Sequence, residues 1–433
     1  MAPPEVYEVT HALDSIRQRA EIPPSEFRLL TYVVEQMLAG NGEQLSQKTI
    51  AADVFGRDLR DFEPRADSIV RTTAAHLRES LLAYYAGPGQ GDPIMIEIPR
   101  GAYLPRLSRR SSLSASMTGR LFSARMAIEA RTPSSYDTAT RHLDAVLSEA
   151  PNSSLALSLK AECLASLAIH GARPRPLLEE ASRLAERAVD QPKPAWQAWL
   201  AMGMVQQALH WDWSGARESY SKALEMSDGD AATHVWYTAF LVGRGRPEEG
   251  ISNLRRTVDH FGYCNPTFIG DLSMLLILAK DYGAAAEAID AAIEASPAFY
   301  QHHMNKAILL EARGDAQGAL RVLDRTPLRL LERPVTWGLR ALLAGLSGSP
   351  GVARRRISWL RTIQKAGRYI PPSQFAACWL GAGNVDEAVH CLENAAEDRD
   401  PLVVWFHAYP FFRHLHGHAG FRRLIDRIGL VWF

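Results

Sequence analysis

The chain has 433 residues, 47% hydrophobic and 22% charged, with Lys+Arg and Asp+Glu balanced at 48 each, which excludes both a histone-like polycation and an acidic disordered chain. At about 100–200 residues per domain the length predicts two to four domains. The four cysteines (Cys163, Cys264, Cys378, Cys391) form no CxxC and no disulfide framework, the start Met-Ala-Pro-Pro-Glu has no signal-peptide pattern, and the longest apolar run, near Leu275–Ala279, is far below the ~18–20 residues of a membrane span. The expectation is a cytoplasmic protein in a reducing compartment.

The balanced charge hides a division. Residues 1–107 carry 11 basic and 15 acidic residues, whereas 68–110 alone carry six basic and three acidic. The first predicted helix is Val9–Ala20. The second is Ser25–Ala39, with Pro24 before it and Phe27, Leu30, Val34 and Leu38 on one face. Gly40-Asn41-Gly42 ends it, and a short helix follows over Ser46–Val54. After the acidic stretch Asp58–Asp67, Asp67 caps a long helix, Ser68–Tyr85, with Val70, Ala74, Leu77 and Leu81 as its buried stripe. Gly87-Pro88-Gly89 breaks that helix. Ile94, Ile96 and Ile98 then alternate with Met95 and Glu97 as a strand, Pro99-Arg100-Gly101 turns it, and Tyr103-Leu104 begins a return strand.

This order matches a winged helix-turn-helix. Ser25-Glu26-Phe27-Arg28-Leu29-Leu30, His76-Leu77-Arg78-Glu79-Ser80-Leu81 and Ile96-Glu97-Ile98-Pro99-Arg100-Gly101-Ala102-Tyr103 resemble the first core helix, recognition helix and wing of OmpR/PhoB-type DNA-binding domains. Leu45–Gly56 and Asp67–Arg71 resemble a group of bacterial proteins that join such a domain to helical repeats. The four-stranded sheet that precedes the domain in OmpR-type proteins has no counterpart, and no receiver domain precedes it. The resemblance implies double-stranded DNA as partner. The buried stripe leaves Arg71, Thr72, Ala75, His76 and Glu79 outward on the long helix, with Thr73 and Arg78 flanking. Arg71 sits in the first turn, where Arg can pair with guanine N7/O6. Arg100 at the wing tip and Lys48 on the short helix are candidate phosphate or groove contacts. Tyr103 completes the candidate set, although packing beneath the wing is favoured over DNA contact there.

Beyond residue 118 the chain is rich in Ala, Leu and Arg. A small residue recurs at Ala181, Ala216, Gly250, Ala285, Ala319, Ala353 and Ala388, in steps of 35, 34, 35, 34, 34 and 35. Others recur seven later (Ala188, Ala223, Ala292, Ala395) and twelve earlier (Ala307, Ala341, Ala376), and Ala139 is a plausible earlier member. The period resembles the tetratricopeptide (TPR) repeat, in which small residues let antiparallel helices approach and single repeats must stack to bury their apolar faces. Seven or eight repeats over 120–400 are expected. Trp196, Trp199, Trp211, Trp213 and Trp236 read as mostly core, and the aromatics of 401–433 as a capping helix closing the last face.

No P-loop, HExxH or GxSxG occurs, and neither a metal nor a cofactor is expected. His414, His416 and His418 alternate in a way that disfavours a common ion. Cys378 and Cys391 read as small core residues on paired helices. The reading is therefore a mainly α protein: a winged helix-turn-helix domain over 1–107, a linker over 108–119, a TPR-like α-solenoid over 120–400 and a cap over 401–433. Its expected role is a DNA-binding transcription regulator, not an enzyme. The solenoid groove would take a protein, a peptide or a small effector, and the chain would form a homo-oligomer. The alternative is a TPR adaptor whose N-terminal domain binds protein.

Overall fold

The computed structural model describes residues 6–20, 22–58, 60, 63, 67–89, 92–99, 101–109, 115–169, 173–227, 230–261, 266–326 and 334–432. It divides into two units: 1–123 with 255–265, and 124–254 with 266–433.

The first unit opens with α1 (Val6–Arg19), α2 (Pro24–Leu38), α3 (Gln47–Phe55) and α4 (Ile69–Ala86), followed by β1 (Ile94–Glu97) and β2 (Arg106–Arg109). Local chemistry sets these limits. The helix α2 starts one residue before the expected Ser25, because Pro24 at the first helical position needs no N–H partner. Ser46 and Thr49 form a reciprocal capping box at α3, and Gly56 ends that helix with φ 65°. The Asp67 carboxylate accepts from the Ile69 N–H at 3.0 Å at the start of α4. The strands pair antiparallel, with Ile94 opposite Arg109 and Glu97 opposite Arg106. The return strand therefore begins later than Tyr103-Leu104. Those residues belong to a loop that packs inward, since Tyr103 joins Val9, Leu30, Val34, Ile50, Leu77 and Ile96 in one apolar cluster. At the other end of α4, Arg19 pairs with Asp92 and donates to the Pro88 carbonyl at 2.9 Å.

The second unit is a TPR-like α-solenoid. From residue 154 the helices alternate as A and B members of antiparallel pairs. The first four pairs are α7 (Ser154–Ile169) with α8 (Pro174–Val189), α9 (Trp196–Val205) with α10 (Trp213–Met226), α11 (Ala231–Gly243) with α12 (Pro247–Phe261), and α13 (Pro266–Leu278) with α14 (Tyr282–Ala295). Three more follow: α15 (Tyr300–Ala312) with α16 (Ala316–Arg325), α17 (Pro334–Leu346) with α18 (Pro350–Lys365), and α19 (Pro372–Gly381) with α20 (Val385–Glu397). Before them come α5 (Ala115–Ala130) and α6 (Pro133–Glu149), and α6 packs on α7. Ala139 and the seven residues of the small-residue series are all buried, one on α6 and one on each B helix. The period thus records one packing contact made again in each repeat. A cap recurs with it. Asp212, Asp281, Asp315 and Asn384, each four residues before a series member, accept the N–H three residues on and begin α10, α14, α16 and α20. An ion pair also recurs between a B helix and the next A helix, as Lys160–Asp144, Lys306–Asp290 and Arg340–Asp324.

The last segment departs from the expected cap. Residues 401–405 and 410–415 form short 3-10 turns and Ala419–Ile428 forms α21. The 401–405 turn touches α7, α11 and α20, and the 410–415 turn touches α15. The segment therefore runs back across A helices of separate repeats. The Trp405 indole donates to the Ala239 carbonyl at 2.9 Å, and the Trp213 indole donates to the Ile428 carbonyl at 2.9 Å. Gly243 makes the first of these possible, since a Cβ there would sit 3.1 Å from the Trp405 Nε1.

Candidate recognition surfaces

In the first unit, α4 presents Thr72 and His76 to solvent, with Arg71 and Thr73 half-buried, and α3 exposes Lys48 near its start. Arg71 donates to the Gln47 side chain at 3.4 Å, which brings the beginning of α3 alongside the first turn of α4. Arg71, Thr72 and Lys48 therefore belong to one neighbourhood. Arg100 lies outside the described residues.

Two candidates are corrected. Tyr103 is only 3% exposed and part of the core, so it has no surface to offer DNA. Arg78 does not point outward from α4. Its Nε donates to the Ile98 carbonyl, and its Nη2 to the carbonyls of Pro99 and Ala102, each at 3.0 Å. The rigid fork of a guanidinium suits that task, and it fastens the loop after β1 to α4. The signal for this role lies 20 to 24 residues downstream, beyond the reach of a helix-face argument.

In the solenoid, the A-helix face is the surface expected to hold a partner. Much of it is covered by the chain itself. At one end the close of α5 lies against it. Arg125 pairs with Asp230 at 3.3 Å and sits 5.5 Å over the Trp196 ring. Arg131 makes a two-pronged pair with Asp271, at 2.7 and 2.6 Å. Burial disfavours the Arg131 charge, but Asp271 outweighs it and the guanidinium is held above its ordinary range. Glu162 lies close by; burial pushes its carboxyl up, against the opposing pull of Arg125. Elsewhere residues 401–415 cover α7, α11 and α15, and Arg413 pairs with the buried Glu311 at 2.7 Å. The expectation of a partner in the groove is corrected to that extent: these helices already hold the chain's own segments.

All five tryptophans of the 196–236 cluster are half-buried, and Trp196, Trp199, Trp213 and Trp236 pack against one apolar core cluster. Four carry a cation over the ring: Arg125 on Trp196, Lys222 on Trp199, Arg399 on Trp211 and Arg244 on Trp213. Such pairs cover indole faces.

The reactive side chains are quiet. Burial pushes the thiols of Cys163 and Cys391 up to about 11 and that of Cys378 to about 12, which opposes thiolate chemistry. Cys378 and Cys391 share one apolar cluster, while Cys264 lies outside the described residues. The three alternating histidines diverge: His416 stacks on Phe421, and His418 contacts Asp386 at 2.9 Å while its Nδ1 accepts from the Gly420 N–H. Among the described residues, no helix is long and apolar enough to cross a membrane.

The family model described as tetratricopeptide repeat matches residues 272–328, from within α13 to just past α16. No curated protein matches the chain in sequence. Similar solved structures include YrrB, titled a TPR protein with an unusual peptide-binding site, at 18% identity over 42% of this chain and 90% of that one, TM-score 0.29. The Cut9–Hcn1 hetero-tetramer of the APC/C is 13% identical over 98% of this chain and 70% of that one, TM-score 0.48. Yeast Tom70 is 14% identical over 97% and 90%, TM-score 0.42.

Proposed function

We propose that the chain is a TPR-type adaptor that works by binding a protein partner, with no chemistry of its own. The observation that carries this reading is the second unit. Its small-residue contact repeats from α6 to α20, its A face is braced by the chain's own segments, and its thiols are buried and inert. Such a frame presents helix surfaces in fixed relation to one another, which suits recognition. The free, buried Cys163 and Cys378 suit a reducing cytoplasm.

A second reading, that the first unit reads double-stranded DNA as a winged helix, is favoured by one specific observation. Arg71, Thr72 and Lys48 share the junction of α3 and α4, His76 is exposed further along α4, and Arg78 holds the loop after β1 against α4.

One experiment separates the two. The full chain is used to select from a random duplex library, and in parallel its complexes are sized by light scattering after nuclease treatment. An adaptor enriches no DNA sequence and forms a nuclease-resistant complex of fixed stoichiometry. An enriched motif whose binding is weakened by Thr72→Ala and His76→Ala together would replace the adaptor reading with the second.

A further inference from the structure

Residues 334–385 contain Arg340, Arg354, Arg355, Arg356, Arg361, Lys365 and Arg368 and not one Asp or Glu, in a chain whose formal net charge is zero. The centre of this stretch is α18. Every other B helix, and α6 before them, carries at least one carboxylate; α18 carries none. Arg354, Arg355, Arg361, Lys365 and Arg368 are exposed. Arg354, Ser358, Arg361 and Lys365 follow one another along one helix face at intervals of four, three and four residues, so the row is about 16 Å long. Arg361 and Lys365 repel each other at i,i+4 with no acid on the helix to relieve them. Of the neighbouring acids, Asp324 pairs at 2.5 Å with Arg340, the one cation of the stretch that lies on α17, and Asp386 contacts His418 at 2.9 Å.

Aromatic rings interleave with these cations. Trp359 is 41% exposed. Arg356 lies 4.6 Å from its ring centre, and Trp337 meets it edge-on at 5.2 Å. Arg368 lies 4.9 Å over Trp337, and Arg361 lies 5.6 Å over Trp379. Burial and the like charge of Arg340 act together to lower the pKa of Arg356. The arrangement breaks a local rule of helix design, its like charges eased by indole rings rather than by carboxylates, and such departures mark functional surfaces.

We propose that the outer face of α18 binds single-stranded nucleic acid, with the cation row on the phosphates and Trp359 stacking on a base. Charge complementarity selects a polyanion, because an uninterrupted positive surface is rewarded by release of the strand's counterions. The exposed indole selects an unpaired strand, because duplex bases offer no free ring face whereas single strands stack on aromatic side chains. An acidic polypeptide satisfies the charges and leaves the indole unexplained.

The test uses the full chain and a fluorescein-labelled 15-nucleotide oligo-dT strand, followed by anisotropy from 50 to 200 mM salt. Binding is expected, with a log–log salt slope that becomes shallower by about two when Arg354, Arg361 and Lys365 are all changed to Gln. Trp359→Ala weakens binding by about 5- to 100-fold and Trp359→Phe restores most of it. Thermal melting by circular dichroism establishes that each variant is folded. A 15-base-pair duplex binds less tightly, and poly-L-glutamate of matched charge does not displace the strand. Absence of strand binding at 50 mM salt overturns the proposal. So does tighter binding of the duplex, displacement by poly-L-glutamate, or an unchanged affinity in folded Trp359→Ala. The duplex comparison is made on the Thr72→Ala/His76→Ala double variant, so that duplex binding by α4 does not enter it, and the α18 variants assign strand binding to this face whether or not the solenoid holds a protein.

Discussion

His302 is fully buried on α15, its ring 4.9 Å from that of Phe299, and burial together with the charge of His303 lowers its pKa to about 4. The folded protein therefore keeps this imidazole neutral at pH values where an unfolded chain would protonate it near 6.5. Stability from this group is complete above pH 6.5, falls by about 1.4 kcal/mol for each pH unit below that, and stops falling near pH 4. His407, also lowered to about 4 by burial, adds a fall of the same sign. Glu162 and Asp400 work the other way, since burial raises both carboxyls and makes the folded state the better proton acceptor. The clean measurement is therefore a difference. The destabilisation caused by His302→Gln, read by urea unfolding, is expected to shrink by about 2–3 kcal/mol between pH 7 and pH 4.5. A gap independent of pH would mean that His302 takes up its proton as readily in the folded chain as in the unfolded one.

At the scale of elements, the small residues do more than mark a period. A Cβ added at Gly345 on α17 would lie 1.9 Å from the Gly381 carbonyl oxygen on α19, and one at Gly381 would lie 2.6 Å from the Ala341 carbonyl. The two A helices touch backbone to backbone there. Gly345→Ala is expected to cost about 1–3 kcal/mol or more by forcing them apart. Gly351→Ala, near the start of α18 with nothing closer than 3.5 Å, should be neutral or stabilising by about 0.5–1 kcal/mol, because Gly is costly within a helix. Equal melting temperatures for the two variants would show that the helices can separate without penalty. The same contact explains what was readable beforehand. A residue that meets its partner helix in every repeat leaves a 34–35-residue trace in the sequence, as do the Asp and Asn caps four positions earlier, a signal present but not used. The α4 stripe was equally readable, because Val70, Ala74, Leu77 and Leu81 pack as their spacing requires. The bonds of Arg78 were not, because they depend on how the loop after β1 folds back, whereas packing of Tyr103 beneath the wing was already the favoured reading of that residue. The aromatic composition of 401–433 fits a terminal cap and a returning strap alike, and nothing local says which helices it will meet.

For the whole molecule, that strap alters how the second unit holds together. A solenoid has neighbour contacts only, so loss of its end should loosen the last repeat and leave the first intact. Here Trp405 reaches α11 and the 401–405 turn reaches α7. Removing residues 400–433 is expected to raise amide exchange in α7 and α11 as well as in α19 and α20, measured by mass spectrometry on the truncated chain. Exchange raised in α19 and α20 alone would mean that the early repeats are self-sufficient.

The strap has a further consequence for the order in which the protein is made. A ribosome delivers α7 more than 200 residues before it delivers Trp405. Throughout that interval the apolar surface that will receive the strap stays open to water, and the contact that covers it closes a loop of more than 200 residues. Loop closure over such a distance is slow. The first repeats to leave the ribosome are thus among the last to be finished, and the maturation of the whole array is timed by the arrival of its C-terminus.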